Sequence, residues 1–329
     1  MHIVIPDDYQ NVIRSLDCFA QLREHQVSLY HDVQKDPEVL AQRFASADAL
    51  VLTRERTRLD AALLQRLPRL KLISQTGKVG PHLDLAACTR QGVAVLEGAG
   101  SSIAPAELTW ALILTARRQL RPAMDALYAG HWQVNLGQRL CGQTLGIWGY
   151  GRIGQRLARY AQAFEMPVLV WGSAASRQAA ERDGHRAAAS RQALFAEADV
   201  LSLNLRLVES TRHCVTLDDL LRMKTDALLV NASRAELIAP GALLQALSAG
   251  RPGFAALDVF EDEPLLDAAH PLLNHPRILC TPHLGYVERH SYELYFGDAF
   301  ANLLAFLRGD ACVLANPAVR QGAAPSPGG

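Results

Sequence analysis

The 329-residue chain lacks the cysteine spacing of a disulfide framework or a zinc site: Cys18, Cys88, Cys141, Cys214, Cys280 and Cys312 stand far apart, with no Cys-x-x-Cys pair. Such usage reads as reduced thiols in a cytoplasmic protein. No apolar run is long enough for a membrane span. The opening MHIVIPDDYQ has neither the basic segment nor the long apolar core of a secretory signal. Charge of one sign is missing too. The 33 Lys and Arg residues meet 33 Asp and Glu, which argues against a nucleic-acid partner. Lysine is scarce, at four residues, so the positive charge is almost all guanidinium, spread along the chain rather than blocked. At 49% hydrophobic and 20% charged residues, the composition excludes intrinsic disorder and leaves a globular protein of about two domains.

What is present is an alternation of short apolar runs with longer stretches of helical spacing, the pattern of an α/β architecture with parallel sheets. Strands are expected at residues 2–6, 49–53, 70–77 and 92–98, with helical spacing at 8–25, 36–46 and 59–66. A long helix is expected at 104–120, with Pro105 suited to its first turn. A second set opens with TLGIWGYGRIG at 144–154. Strands follow at 168–172, 199–205, 227–233, 253–260 and 277–283, with helices at 152–165, 190–196, 216–222 and 240–249. Another long helix fits 288–308, and the small, proline-rich tail 321–329 reads as disordered. The layout implies a discontinuous domain of residues 1–100 and 288–329 for substrate, a dinucleotide-binding domain of residues 101–287, and a ligand cleft between them.

Gly149-Tyr150-Gly151-Arg152-Ile153-Gly154 is a GxGxxG motif running from an apolar strand into an amphipathic helix. Its first glycine permits the tight turn, its second lets backbone N–H groups approach a pyrophosphate, and its third allows close helix–sheet packing. The helix N-terminus adds partial positive charge, so the motif is expected to bind a dinucleotide. About 20 residues on, where an acidic residue would hold a ribose 2′-hydroxyl, the chain reads Trp171-Gly172-Ser173, with Ser176 and Arg177 behind. No carboxylate stands there to repel a 2′-phosphate. The cofactor expectation is therefore NAD(P)H with a lean towards NADP, Ser173, Ser176 and Arg177 meeting the phosphate.

Three further segments place reactive groups at strand ends: Asn231-Ala232-Ser233-Arg234, the run from Asp258 through Glu263 to Pro264, and Thr281-Pro282-His283-Leu284-Gly285. With TLGIWGYGRIG and DVLSLNLRLVESTR, these pieces stand in an order and spacing that resembles the D-isomer-specific 2-hydroxyacid dehydrogenase family over nearly the whole chain. The resemblance implies two Rossmann-like, doubly wound parallel sheets, a flavodoxin-like substrate domain and a dinucleotide-binding domain. It implies hydride transfer between a nicotinamide cofactor and a small D-2-hydroxy or 2-oxo acid. Arg234 would bind the substrate carboxylate and polarise the carbonyl, while His283 would move the proton and Glu263 would orient the imidazole. Asp258, Asn204, Leu205, Thr211 and Gly285 would line the cofactor together with Asn231, Ala232 and Ser233. Asp258 has a rival reading as the cap of a turn.

The turn Gly77-Lys78-Val79-Gly80 matches the family loop whose backbone N–H groups hold the substrate carboxylate, although Val79 stands where glycine is frequent. Further departures are the bulky Trp148 before the glycine turn, Asn204 and Arg206 in place of histidine and proline, and Tyr286 in place of a small residue. Tyr286 is expected to shape the mouth of the site. The resemblance also implies a homodimer, with helix 108–120 contributing to the contact or packing within its own domain. Rival functions are a non-catalytic NAD(H)-sensing protein, against which the complete Arg234, Glu263 and His283 set argues, and oxidation of formate or phosphite. Glu263 disfavours the formate branch, where a glutamine partners the histidine.

Overall fold

The computed structural model describes residues 1–319, so the tail 321–329 lies outside the described residues. The chain divides into two compact units, Met1–Ser101 with the described part of Glu288–Gly329, and Ser102–Val287. Among the described residues no helix is long and apolar enough to cross a membrane, and no group of three or more His, Cys, Asp or Glu side chains could hold a metal ion.

The first unit is built on five parallel strands, β1 (His2–Ile5), β2 (Gln26–Leu29), β3 (Ala49–Leu52), β4 (Leu72–Gln75) and β5 (Ala94–Glu97), in the order β2-β1-β3-β4-β5. This is the flavodoxin-like winding, and β3 and β4 are buried along their whole length, as strands covered on both faces must be. Helices α1 (Pro37–Phe44), α2 (Ala61–Gln65) and α3 (Leu85–Arg90) each start behind an aspartate, Asp36, Asp60 or Asp84, whose carboxylate accepts a first-turn N–H. Residues 8–25 depart from the expected helix. They form two 3-10 turns, Ile13–Ser15 and Asp17–Leu22. The cause is local: the Asp8 carboxylate accepts the N–H groups of Val12 and Ile13, and Asp7 and Asn11 take left-handed conformations with φ of 66° and 53°. Both features divert backbone from the α-helical ladder.

In the second unit the expected helix 104–120 ends sooner, as α4 (Ile103–Arg117), and the left-handed Gln119 redirects the chain into α5 (Leu120–Tyr128). The Trp110, Leu112 and Ile113 side chains of α4 are buried in the unit's own core. A seven-stranded parallel sheet follows in the order β12-β11-β10-β9-β6-β7-β8. Its strands are β6 (Leu145–Trp148), β7 (Val168–Trp171), β8 (Arg186–Ala187), β9 (Val200–Leu203), β10 (Leu228–Asn231), β11 (Phe254–Leu257) and β12 (Ile278–Cys280). The order reverses between β6 and β9, and the crevice at such a reversal is where open α/β sheets bind ligands. Packed around it together with α4 are α6 (Arg152–Ala163), α7 (Ala174–Arg182), α8 (Arg191–Glu197), α9 (Leu217–Leu221) and α10 (Ala242–Ser248). The indole of Trp148 is core, meeting Phe195 edge to face with ring centroids 5.7 Å apart. The chain returns to the first unit in α11 (Arg289–Arg308), which buries Phe296, Phe300 and Leu303.

The first unit also buries His82, whose Nε2 lies 3.1 Å from Gln75 Oε1 and whose Nδ1 has no hydrogen-bond partner among the described residues. Burial depresses its pKa below the ordinary value of 6.5, against the pull of Glu55 and with the push of Arg54. The native state therefore prefers the neutral ring. Stability from this site is present above pH 6.5 and is lost as pH falls below it. Denaturant midpoints measured from pH 7 to pH 5 should fall less steeply for His82→Leu than for the wild type; equal slopes would remove His82 as a source of acid sensitivity.

Candidate active site

The crevice of the second unit begins at the glycine turn. Gly149 has φ of 101°, and a Cβ there would strike the Asn204 carbonyl, so the ends of β6 and β9 meet closely only through glycine. A Cβ on Gly154 would strike the Gly149 carbonyl. Gly151 differs: a Cβ would meet nothing within 4 Å. It opens the 12-residue helix α6 without a side-chain cap, and Arg152 stands exposed in the first turn. Uncapped N–H groups at a helix start with open space before them fit the pyrophosphate of a dinucleotide. The Tyr150 side chain points elsewhere. It is 4% exposed, donates to Asp183 Oδ2 at 2.8 Å and packs on His185, leaving only its backbone at the turn. Ile153 packs against the core beneath the helix.

The strap after β7 gives the lean towards NADP no support. Ser173 caps α7 by accepting the Ser176 N–H at 3.2 Å, and its own hydroxyl donates to Ser176 Oγ. Arg177 donates to the Gly172 carbonyl at 2.7 Å, and its guanidinium lies 4.6 Å from the centre of the Trp171 ring. The three groups expected to meet a 2′-phosphate thus serve the local fold, and the NADP lean has no support.

At the other strand ends, short-range bonds fix the backbone. The Asn204 amide donates to Ser202, and Leu205 packs on the core. Thr211 donates to the Arg206 and Val208 carbonyls. Asn231 accepts the Ser233 N–H and donates to the Arg234 carbonyl, and Ser233 Oγ donates to the Leu203 carbonyl. Ala232 packs against the core, while the half-buried Arg234 guanidinium donates to the Ser233 carbonyl at 2.7 Å.

Asp258, just past β11, is fully buried. Its Oδ1 accepts from Thr281 Oγ1 at 2.6 Å and the Leu284 N–H at 2.7 Å, and Oδ2 accepts the Gly285 N–H at 2.9 Å. These bonds bracket His283, whose φ of 52° is left-handed. Asp258 is therefore the cap of the histidine turn. Burial pushes its carboxyl above the ordinary value of 3.8, while Thr281, Leu284, the His283 charge and Gly285 pull the other way. Glu263 completes the arrangement. Its Oε1 accepts the Phe260 N–H at 2.8 Å, and its Oε2 lies 2.5 Å from His283 Nδ1. The histidine side chain is 26% exposed and Nε2 has no hydrogen-bond partner among the described residues, so one nitrogen is held and the other is accessible. Tyr286 is the neighbour of that ring. It is 5% exposed and packs against the imidazole, ring centroids 5.4 Å apart and planes at 81°.

In the first unit, the turn after β4 is tied to β5. The Val79 N–H donates to Glu97 Oε1 and Lys78 Nζ to Glu97 Oε2. The Val79 N–H expected for a substrate carboxylate is thus engaged, and Lys78 forms an ion pair. A Cβ on Gly77 would run into the Arg54 guanidinium, and one on Gly80 would press on the Glu55 carboxylate. Arg54 and Glu97 were not among the residues singled out from the sequence. The available signal is position along a strand: Glu97 ends β5, and Arg54 stands two residues past β3.

Residues 110–285 match the NAD binding domain of the D-isomer specific 2-hydroxyacid dehydrogenases. The chain is 36% identical over 300 residues to a glyoxylate reductase of Aeropyrum pernix, covering 86% of this chain and 89% of that one. Among solved structures, a Ralstonia solanacearum oxidoreductase superposes with a TM-score of 0.95 at 50% identity, covering 97% of each chain. A phosphoglycerate oxidoreductase of Vibrio cholerae gives a TM-score of 0.91 at 54% identity, covering 94% of this chain and 99% of that one. The chain belongs to the D-isomer-specific 2-hydroxyacid dehydrogenase family. It is an oxidoreductase that interconverts a D-2-hydroxy acid and its 2-oxo acid with NAD(H).

Replacing Asp258 by Asn leaves one carbonyl oxygen for three donors and turns an amide N–H₂ towards at least one of them. Denaturant unfolding should show a loss of about 1–3 kcal/mol; an unchanged midpoint would show that the histidine turn holds itself.

Proposed function

We propose that His283 is the acid–base group of the reaction, oriented by Glu263, and that Arg234 binds the substrate carboxylate and polarises the carbonyl at C2. The observation that carries this reading is the 2.5 Å pairing of Glu263 Oε2 with His283 Nδ1, which leaves Nε2 accessible. A carboxylate accepting at Nδ1 fixes the ring orientation and complements an imidazolium, so Nε2–H is the proton available for donation. In reduction, Nε2 gives that proton to the ketone oxygen; in oxidation, the neutral Nε2 takes it from the hydroxyl. The bound nicotinamide supplies or accepts the hydride at C2. Arg234 offers the planar fork suited to a 2-oxo acid. Within the first unit, Lys78, Val79 and Gly80 are the group that holds a substrate carboxylate, with the Arg54 guanidinium alongside Gly77 adding charge for an anion. Gly151 and the first turn of α6 hold the pyrophosphate.

The substrate is a small 2-oxo acid, in the range of glyoxylate, hydroxypyruvate and their phosphorylated relatives, and the cofactor is NADH rather than NADPH. Relatives named glyoxylate reductase and phosphoglycerate oxidoreductase support that range. A panel of these acids with both cofactors tests it. Cofactor binding without turnover of any 2-oxo acid would overturn the reading. His283→Asn should lower kcat by about 10²–10⁴, with NADH affinity by fluorescence titration nearly unchanged; preserved turnover would sink the acid role of His283.

The protein acts as a homodimer in the cytoplasm on this reading. Six unpaired thiols support a reducing compartment. Trp110, Leu112 and Ile113 of α4 are buried in the unit's own core, so the surface for a second copy is instead α5 and the segment after it. There Met124, Leu127, Tyr128, Trp132, Val134 and Leu136 are all more than half exposed, a density that is unusual on a monomer. Light scattering should give a dimer mass for the wild type and a monomer mass for Leu127→Asp with Trp132→Glu; a monomeric wild type would overturn the assignment.

A further inference from the structure

The turn after β4 carries a carboxylate seat that the chain fills itself. Two donors converge on one carboxylate: the Val79 N–H on Glu97 Oε1 at 2.8 Å, and Lys78 Nζ on Glu97 Oε2 at 2.9 Å. A backbone N–H beside an ammonium is the donor pair that a free carboxylate would seek. Glu97 reaches it because β4 and β5 pair in parallel with Gln75 opposite Glu97, so the last side chain of one strand stands beside the turn that leaves the other. The backbone of that turn is closely packed. Gly98 N–H donates to the carbonyls of both Gln75 and Gly77, and a Cβ on Gly98 would press on the Gln75 carbonyl and the Gly77 nitrogen at 3.1 Å. The Val79 N–H is therefore fixed by the backbone, whereas Lys78 and Glu97 meet through side chains that can move. The Lys78 side chain is 70% exposed and that of Glu97 is 27% exposed, so water reaches the ion pair and weakens it.

We infer that Glu97 is a built-in competitor for the carboxylate of the 2-oxo acid: substrate occupies the Lys78–Val79 seat by displacing the Glu97 side chain, and Glu97 thereby sets the KM of the enzyme. This rests on the reading above that Lys78, Val79 and Gly80 hold the substrate carboxylate. Glu97 touches neither the carbonyl nor the proton in flight, so its removal changes binding and not the chemical step. A mere brace for the turn would act in the opposite sense, since loosening the donors would weaken binding.

The test compares Glu97→Gln, Glu97→Ala and Lys78→Met in steady-state kinetics with NADH, and in inhibition by oxamate, an unreactive 2-oxo acid analogue. Glu97→Gln keeps an oxygen for the Val79 N–H but loses the charge facing Lys78. It should lower KM and the oxamate inhibition constant together by roughly fivefold to tenfold, as a charge-assisted pair becomes a neutral one. Glu97→Ala should lower both further, and kcat should stay within about twofold. Lys78→Met should raise both constants. If Lys78→Met raises them while Glu97→Gln leaves them unchanged or raises them, the seat is real and Glu97 is a brace, which overturns the inference. If Lys78→Met and the Glu97 variants are all silent, the substrate carboxylate does not use this turn, and the reading beneath the inference fails with it.

Discussion

The buried Asp258 carboxylate is the constraint on which the pairing of His283 with Glu263 depends. A left-handed histidine between a proline and a leucine is a strained choice for the chain, and it persists only where the surroundings over-determine it. Three donors from the turn converge on one carboxylate with no exposed surface, so the turn cannot relax without leaving that carboxylate unpaired in the interior. The desolvation that raises the Asp258 pKa and the bonds that oppose it are two faces of this arrangement. Glu263 then has only to orient a ring whose backbone is already placed. The two carboxylates have separate tasks: Asp258 fixes where the imidazole starts, and Glu263 fixes which nitrogen is presented.

The same division between scaffold and presentation holds at the cofactor crevice. The strand order reverses between β6 and β9, and the two strand ends approach so closely that only glycine fits at 149. Gly154 secures the helix against the turn, while Gly151 faces open space. Two of the three glycines thus serve packing and one serves access. Tyr150 belongs with the packing residues: its bond to Asp183 ties the glycine turn to the chain beyond α7.

The sequence was most legible where periodicity and strand-end position coincide. The alternation of β and α, the glycine turn after β6 and the reactive segments after β10, β11 and β12 can all be found without coordinates, because in an open parallel sheet the strand C-termini face the crevice. Residues 8–25 show the limit. Their spacing of apolar residues suits a helix, yet Asp8 takes the N–H groups of Val12 and Ile13 and the backbone turns twice into left-handed conformations. Local side-chain capture of backbone outweighs periodicity over so short a stretch. Ser173, Ser176 and Arg177 illustrate a second limit. Their chemistry suits a phosphate, but only geometry reveals that the helix cap, the Gly172 carbonyl and the Trp171 ring already engage them. Glu97 was invisible for a third reason: its partners lie on the neighbouring strand's turn, and that register is not written locally.

Zero net charge says little about such a protein, because its decisive charges are held pairwise at strand ends. What a strand-end carboxylate does depends on whether water can compete for it. Asp258 is sealed, and its partners Thr281, Leu284 and Gly285 belong to one turn, so it acts as architecture. Glu263 is partly exposed and shares its oxygens between a backbone N–H and a titratable ring, so it can follow a change of charge on that ring without releasing the backbone. Glu97 is partly exposed too, but one of its partners is a flexible ammonium largely in solvent. That makes it the exchangeable member of the three. Burial, more than residue type, grades these carboxylates from scaffold through orientation to exchange, and the same grading explains why their roles could not be separated by motif alone.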